Sequence, residues 1–402
     1  MFENVLHQDQ VTQQLSKEVQ TQSLPPSILF AGPPYAGKLS AALELARVLS
    51  CERKEGEWNC SCKSCEMHRQ LLAPNTLLLG GRYFNTEVAA CADTLLRTKS
   101  ISGRYLFIRS LRKLTRRFDP VLWEGEEVRL QKVTPLLTRL EEIAYDLGPD
   151  QGEMPPKEKL EKVLQEAITL VGKVEDSFSL GTVPVGVVRK VSSWAHLRGT
   201  ETKKIVILEH TDRLLDASRN ALLKLLEEPP SSVYFILLTT RRSAIIPTIL
   251  SRVRSYLFKQ RTGKEAIEVL ERVFKLPSGE TYPDLSTFFL LFQGLKPNLL
   301  YQAAVQFILA ASNSEAPFPE ALAVELFQDR EKFRLFLEQV LVVLHHFLTQ
   351  ESVGVVDGKP SLTQMEEWAK LIQKAVESVE VLNVHPLLAA ERLFHRMRRR
   401  YA

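Results

Sequence analysis

The feature that most constrains this chain is a glycine-rich turn between a short apolar segment and a helical one. Residues 28–31 read ILFA, residues 32–38 read GPPYAGK, and residues 40–49 read SAALELARVL. A buried strand, a glycine loop and a helix in this order open a P-loop α/β fold. Two further apolar runs, 205–208 and 233–238, predict strands of the same sheet. Continuous apolar strands alternating with helices indicate a parallel sheet covered on both faces.

The glycine turn has most of what a phosphate loop requires. Such a loop wraps phosphates with its backbone N–H groups, reaches the outer ones with a lysine, and ligates Mg²⁺ with a Ser or Thr directly after that lysine. Gly32, Gly37 and Lys38 stand in these places, but Leu39 follows the lysine and Ser40 comes one residue late. The sequence predicts a phosphate cradle without its magnesium ligand, so ATP binding stays open. The alternative is a glycine-rich turn that holds no ligand.

The end of the second strand departs from an active ATPase in a similar way. In P-loop ATPases an Asp here holds Mg²⁺, and in the AAA+ type a following Glu polarises the attacking water. Glu209 and His210 occupy these positions, and Asp212 lies two residues further on, beyond the predicted strand. Two independent defects at one site predict that the chain does not hydrolyse ATP.

Four cysteines within fifteen residues predict a metal site. Cys51, Cys60, Cys62 and Cys65 have the spacing C-x8-C-x-C-x2-C. In a chain expected to be cytoplasmic, where disulfides do not persist, four such thiols indicate a tetrahedral structural Zn²⁺ site. Unliganded surface thiols are the alternative. Cys91 stands apart and is predicted to be a small buried residue.

One long segment carries a family resemblance. Residues 218–230 read SRNALLKLLEEPP, and residues 249–253 read ILSRV after a third strand. This pattern resembles the bacterial DNA polymerase III clamp loader subunits, whose signature runs NALLKTLEEPP, then a sensor strand, then TILSRC. The opening FENVLHQDQVTQQL, the cysteine cluster after the first helix, and the closing NVHPLLAAERLF also resemble that family. The chain departs from it at His7, where Gly is usual, and at Val253, where Cys is usual.

The resemblance implies an α/β fold with three parts. A P-loop AAA+ domain with a parallel sheet is expected over 1–260, an all-α lid over 261–312 and an all-α collar over 313–402. Within the first part we expect a zinc module at about 51–65 and a helical insertion at about 83–182. The insertion is too long for a plain loop, and no counterpart for it is apparent in the family.

The resemblance also implies roles for particular residues. Arg252 matches the arginine that clamp loader subunits project into a neighbour's ATP site, where it stabilises charge on the transferred phosphoryl group; a surface or helix-capping arginine is the alternative. Thr239 or Thr240 matches the sensor position, and Lys296 stands where the lid arginine is expected. A damaged nucleotide site beside an intact finger is what the delta-prime type of stator subunit requires.

The expected function is therefore that of a non-hydrolysing, delta-prime-like clamp loader subunit of the DNA polymerase III holoenzyme. It would assemble with gamma/tau-like and delta-like subunits and help place a sliding clamp on primed DNA. One alternative is an ATP-hydrolysing gamma/tau-type subunit. A second is a zinc-containing nucleic-acid-binding protein with a vestigial P-loop.

Charge and hydropathy add two expectations. The net charge of +4 makes only a weak case for nucleic acid. The segment 97–117 nevertheless holds eight Lys and Arg residues and no acid, and the stretch 392–400 is basic too. Each is predicted either to be a solvated polar face or to contact DNA phosphates or an acidic partner. No apolar run is long enough to cross a bilayer and the N-terminus is polar, so the protein is expected to be cytoplasmic.

Overall fold

A computed structural model describes the chain except at residues 82–83, 179–180, 198–202, 278–281, 283, 294–296, 314, 321, 323–325, 328–329, 350–359, 381, 383 and 399–402. The chain divides into two compact units, Met1–Phe289 and Leu290–Ala402. The finer division into lid and collar stays a prediction, and Lys296 lies outside the described residues.

The first unit is built on a parallel five-stranded sheet with the order β2-β3-β4-β1-β5. The α/β fold class is confirmed, and so are the three predicted strands, β1, β3 and β4. Two further strands were not predicted. The strands are β1 Ser27–Ala31, β2 Thr76–Leu79, β3 Lys204–Leu208, β4 Val233–Thr239 and β5 Arg254–Leu257.

Helices cover this sheet because each has an apolar stripe at helical spacing. In α1 (Asp9–Gln20) the buried residues include Val11 and Leu15, one turn apart. Helix α2 (Lys38–Leu49) is buried over nearly its whole length. The remaining short helices around the sheet are α3 (Lys63–Arg69), α11 (Asp216–Glu227), which ends before Pro229, and α12 (Pro247–Leu250).

The predicted insertion is a layer of helices between β2 and β3. Its α4 packs on α5 and α9, and α8 packs on the same two helices. Residues 147–156 connect α8 to α9. The helices are α4 Asn85–Thr98, α5 Ile101–Thr115, a 3-10 turn Arg116–Phe118, α6 Pro120–Trp123, α7 Glu127–Leu130, α8 Thr134–Asp146, α9 Lys157–Ser177 and α10 Val185–His196.

After β5 the described chain is helical. Helix α13 (Gly263–Val273) begins with a capping box in which Thr262 and Glu265 exchange side-chain-to-backbone hydrogen bonds. The second unit has its own aromatic core around Phe307, Phe336, Trp368 and Phe394. None of the described helices is long and apolar enough to cross a membrane. The later helices are α14 Leu285–Leu290, α15 Pro297–Ser312, α16 Arg330–Thr349, α17 Leu362–Glu380 and α18 Pro386–Arg398.

Candidate functional site

The glycine loop joins β1 to α2, and its path requires glycine at both ends. A Cβ on Gly32 would lie 2.5 Å from the carbonyl oxygen of Phe258. Gly37 has φ 89°, in the left-handed region, and a Cβ there would lie 2.9 Å from the guanidinium of Arg261. A side chain at Gly32 would collide with the Phe258 backbone, whereas at Gly37 it is the left-handed φ that disfavours other residues, since the Arg261 guanidinium can move.

Lys38 begins α2 and turns back onto the loop. Its Nζ donates to the carbonyl oxygen of Gly32 at 2.6 Å and to that of Pro33. Burial lowers the pKa of Lys38 to about 8, against the opposing effect of the Glu209 and Asp212 carboxylates. A phosphate at this loop would compete with two carbonyl oxygens for a weakly basic ammonium.

The position after the lysine serves the hydrophobic core. Leu39 is 8% exposed and packs in the cluster that includes Ile28, Ile205 and Ile236 of the sheet. Ser40 is partly exposed on the following position of α2. The residue that would ligate Mg²⁺ in an active P-loop therefore offers no oxygen here.

Glu209, directly after β3, is paired with an arginine from the predicted insertion. Arg117 lies in the 3-10 turn after α5 and forms a buried ion pair with Glu209, the two residues being 2% and 7% exposed. The Arg117 guanidinium also donates to the carbonyl oxygen of Gly80 and lies 4.8 Å from the ring centroid of Phe84. A fixed cation thus balances the carboxylate that would otherwise attract a metal ion.

The nearby acid and the predicted sensor bind each other. Asp212 accepts a hydrogen bond from the Thr239 hydroxyl at 2.8 Å, and its other oxygen lies 3.3 Å from Nε of Arg241. The Asp212 side chain is 1% exposed. His210 turns the chain between Glu209 and this acid with φ 51°. Thr240 follows β4 directly and is partly exposed.

Arg252 lies at the surface between α12 and β5. Its guanidinium donates to the Thr248 carbonyl oxygen at 2.8 Å and forms an ion pair of 2.8 Å with Glu227, near the end of α11. One third of the Arg252 side chain is exposed. Because exposed ion pairs are weak, this contact can exchange for a stronger anionic partner.

The four predicted ligand cysteines come together after α2. The Sγ atoms of Cys51, Cys60, Cys62 and Cys65 all lie within 4.8 Å of one another and the residues are buried. The Sγ atoms of Cys51 and Cys60 are 3.7 Å apart. A tetrahedral zinc with Zn–S bonds of about 2.3 Å separates its sulfurs by about 3.8 Å, so the donor set fits this ion.

Arg47 ties this cluster to the phosphate-loop helix, a link that sequence reasoning missed. Its guanidinium donates to Cys65 Sγ at 3.1 Å and forms a buried bidentate pair with Glu44 at 2.6 and 3.0 Å. It also donates to the carbonyl oxygens of Gly56 and Glu57. Such donors stabilise a metal-bound thiolate and orient its loop.

Comparison with known families identifies the chain. A family model described as DNA polymerase III, delta subunit, matches residues 7–106 and 153–262, just over half of the chain. The chain belongs to this family. It is therefore a protein of the DNA polymerase III clamp loader family, as the resemblance indicated. The family match passes over residues 107–152, a narrower segment than the predicted insertion 83–182.

Individual relatives match over short segments. The gamma/tau subunit of DNA polymerase III from Mycoplasma genitalium is 42% identical over 76 residues, 19% of this chain and 13% of that protein. The delta' subunit from Yersinia pestis is 47% identical over 49 residues, 12% of this chain and 14% of that protein. The crystal structure of a gamma-subunit-related protein from Thermotoga maritima covers 55% of this chain and 80% of its own, with 18% identity and a TM-score of 0.30, too low to carry an argument.

In this clamp loader family chain most basic side chains of the segment 97–117 are buried or half-buried rather than on a solvated face. Its arginines bind the protein's own backbone, and Arg104, Arg112 and Arg117 are at most 6% exposed. Arg97 and Lys99 are exposed, so contact of the segment with DNA or an acidic partner stays a prediction. Arg104 donates to main-chain carbonyl oxygens of the loop 148–152. Main-chain carbonyl oxygens of residues 68–76 accept hydrogen bonds from Arg109, Arg112 and Arg116. Of the basic C-terminal stretch, Arg399 and Arg400 lie outside the described residues.

Proposed function

We propose that this clamp loader family chain is a delta-prime-like stator of the DNA polymerase III holoenzyme. It assembles with gamma/tau-like and delta-like subunits, helps load a sliding clamp on primed DNA, and does not hydrolyse ATP itself. It contributes to ATP chemistry by donating Arg252 to a neighbouring subunit.

The observation that carries this proposal is the buried pair between Arg117 and Glu209. Mg²⁺ is held in nucleotide sites by carboxylates and by phosphate oxygens. With a guanidinium already on Glu209 and with Leu39 in the core, a metal ion at this site would meet a compensated charge and would lack its hydroxyl ligand. Phosphoryl transfer requires that metal to neutralise developing charge. This site is therefore suited at most to holding phosphates.

The surface position of Arg252 supports its role in trans. An arginine finger must leave its own subunit, so it has to be exposed and lightly held. Arg252 is one-third exposed and its acidic partner Glu227 is half exposed. Glu227 and the Thr248 carbonyl oxygen hold the guanidinium in one place rather than free in solvent, which lowers the entropy lost on docking.

The cysteine cluster is proposed to hold one structural zinc. Cys51, Cys60, Cys62 and Cys65 would be its ligands, and four thiolates leave no position open for a substrate. When bound, the metal would cross-link the loop after α2 and would have no catalytic role. Because Arg47 of α2 donates to Cys65, the cross-linked loop would also be held in place against α2.

The competing function is that of an ATP-hydrolysing gamma/tau-type subunit. The segment that is 42% identical to the Mycoplasma genitalium gamma/tau subunit favours it. Glu209, His210 and Leu39 count against it, for the reasons given above. The family assignment leaves no ground for the second alternative, a zinc-containing protein outside replication.

The finger is tested by reconstitution with gamma/tau-type and delta-like subunits. Arg252→Ala should remove turnover at the one site that receives the finger, by about a thousandfold at that site, while assembly measured by gel filtration is retained. Arg254→Ala is the matched control, since Arg254 lies two residues away and pairs with Glu18 on the same subunit. Equal ATPase rates in both variants would remove the finger from the proposal.

A further inference from the structure

An acidic groove lies on the helices that the family match passes over. It encloses about 980 Å³ between the end of α5, α6, α7 and α8. Every residue that lines it except Leu72 falls within the unmatched segment 107–152. The groove is therefore an addition to the family's shared architecture.

The floor of the groove is apolar and part of it is exposed. Trp123 and Phe118 lie at its base, and Leu130 and Leu137 form its half-buried walls. Tyr145 is 65% exposed beside them. Exposed apolar surface concentrated in one concave place indicates a contact surface rather than chance exposure.

The rim of the groove is negatively charged. Six carboxylates line it and one basic residue, Arg116, which pairs with Asp119. Three of the other carboxylates form ion pairs with basic residues outside the groove lining. The pairs of Glu124 and Glu142 are solvent-exposed, so they contribute little stability and can exchange for a basic group of a partner. In the part of the chain that the structure describes, neither Glu127 nor Asp146 forms an ion pair, although the Lys190 charge acts on Glu127 from a distance.

The charge of Glu127 is secured by its surroundings. Its carboxylate accepts hydrogen bonds from its own backbone and from the N–H of Gly125 at 2.9 Å, which lowers its pKa below the ordinary value. The groove therefore presents anionic groups at neutral pH. Nucleic acid and anionic lipid are excluded as occupants because their phosphates would meet these carboxylates.

We propose that this groove binds a basic amphipathic helix of a partner protein. An apolar floor takes the helix's apolar stripe, as in other helix-in-groove complexes, and the acidic rim pairs with flanking Lys and Arg. The groove runs beside α8, whose 13 residues give a length of roughly 20 Å, enough for about four turns. This proposal does not rest on the stator function, because the groove lies outside the nucleotide site.

The test uses the full chain and two synthetic peptides of about four helical turns. One carries Leu on one face and Lys on the other, and the second replaces each Lys by Glu. Fluorescence anisotropy should detect binding of the Lys peptide only. Hydrogen exchange should show protection by that peptide within residues 115–146.

Two variants locate the site. Glu127→Gln with Asp146→Asn should weaken binding of the Lys peptide about fivefold or more, and Tyr145→Ser should weaken it about tenfold. The matched controls are Glu161→Gln on α9 and Ile101→Ser on α5, both exposed and outside the groove. Equal binding of the two peptides, unchanged affinity in the groove variants, or protection confined to other helices would overturn the proposal. Thermal melts of the variants should match that of the wild-type chain, because all the substituted residues are exposed.

Discussion

At the scale of single residues, the polar groups of the candidate nucleotide site already have partners within the chain. Lys38 is bound to its own loop, Glu209 to Arg117, and Asp212 to Thr239. Each group that would handle phosphate or metal in an active ATPase is thus satisfied within the chain. The Leu39 side chain has no atom that could ligate a metal ion.

The Arg117–Glu209 pair should behave as a buried ion pair. Arg117→Met leaves the Glu209 carboxylate buried without its cation, so the free energy of unfolding should fall by about 3–5 kcal/mol, measured by urea denaturation. Adding Glu209→Gln in the same chain should restore part of that loss. Arg139→Met is the control: its pairs with Glu142 and Glu166 are solvent-exposed, and its loss should stay below about 1 kcal/mol. Equal losses in the two single variants would contradict the burial argument.

The ammonium of Lys38 should lose its proton near pH 8 instead of at its ordinary value of 10.5. Since the unfolded chain keeps this proton to higher pH, the group contributes a rise in stability between pH 8 and 10.5. Binding of inorganic phosphate at the loop should weaken as pH rises through 8, because the cation is lost. NMR of ¹³C-methylated lysines checks the midpoint, with Lys38→Met identifying the resonance. A midpoint above 10 would refute the predicted desolvation.

At the scale of elements, the predictable parts were those coded by local pattern. The glycine loop, the strands β1, β3 and β4 and the four cysteines are contiguous signals, and the structure contains each of them. Strand β5 was missed because it is an edge strand in which Tyr256 alone is buried, so it has no apolar run. Strand β2 was missed because the strand is short, with only four residues.

The role of Arg117 could not be predicted because its partner is 92 positions away. One signal was available: the segment 97–117 has eight cations and no acid, so its counter-charges had to come from elsewhere in the fold. Which acidic residues supply these counter-charges depends on how the insertion packs against the sheet.

The zinc module gives a prediction at this scale. Cys65→Ser should reduce zinc from about one per chain to none in metal analysis, and should lower the melting temperature, since the loop after α2 loses its cross-link. Cys91→Ser is the matched control, because Cys91 is equally buried in α4 but lies outside the cluster. Metal content retained in Cys65→Ser, or absent from the wild-type chain, would contradict the assignment.

At the scale of the whole molecule, the part that matches the family and the segment outside that match contribute different features. The family match covers the sheet, the cysteine cluster and Arg252, whereas residues 107–152 provide both Arg117 and the acidic groove. The segment outside the family match thus supplies a cation to the candidate nucleotide site and carries the groove proposed to bind a partner. Under the proposed function, such a surface would help a chain without turnover of its own keep its place in an assembly.

The most direct test of this account is the steady-state ATPase rate of the purified full chain with saturating Mg²⁺. We predict a rate no higher than that of Lys38→Ala, because Arg117 already neutralises the Glu209 carboxylate and Leu39 offers no hydroxyl ligand for Mg²⁺. Turnover in the wild-type chain that Lys38→Ala abolishes would contradict the central claim and make this chain an ATP-hydrolysing subunit.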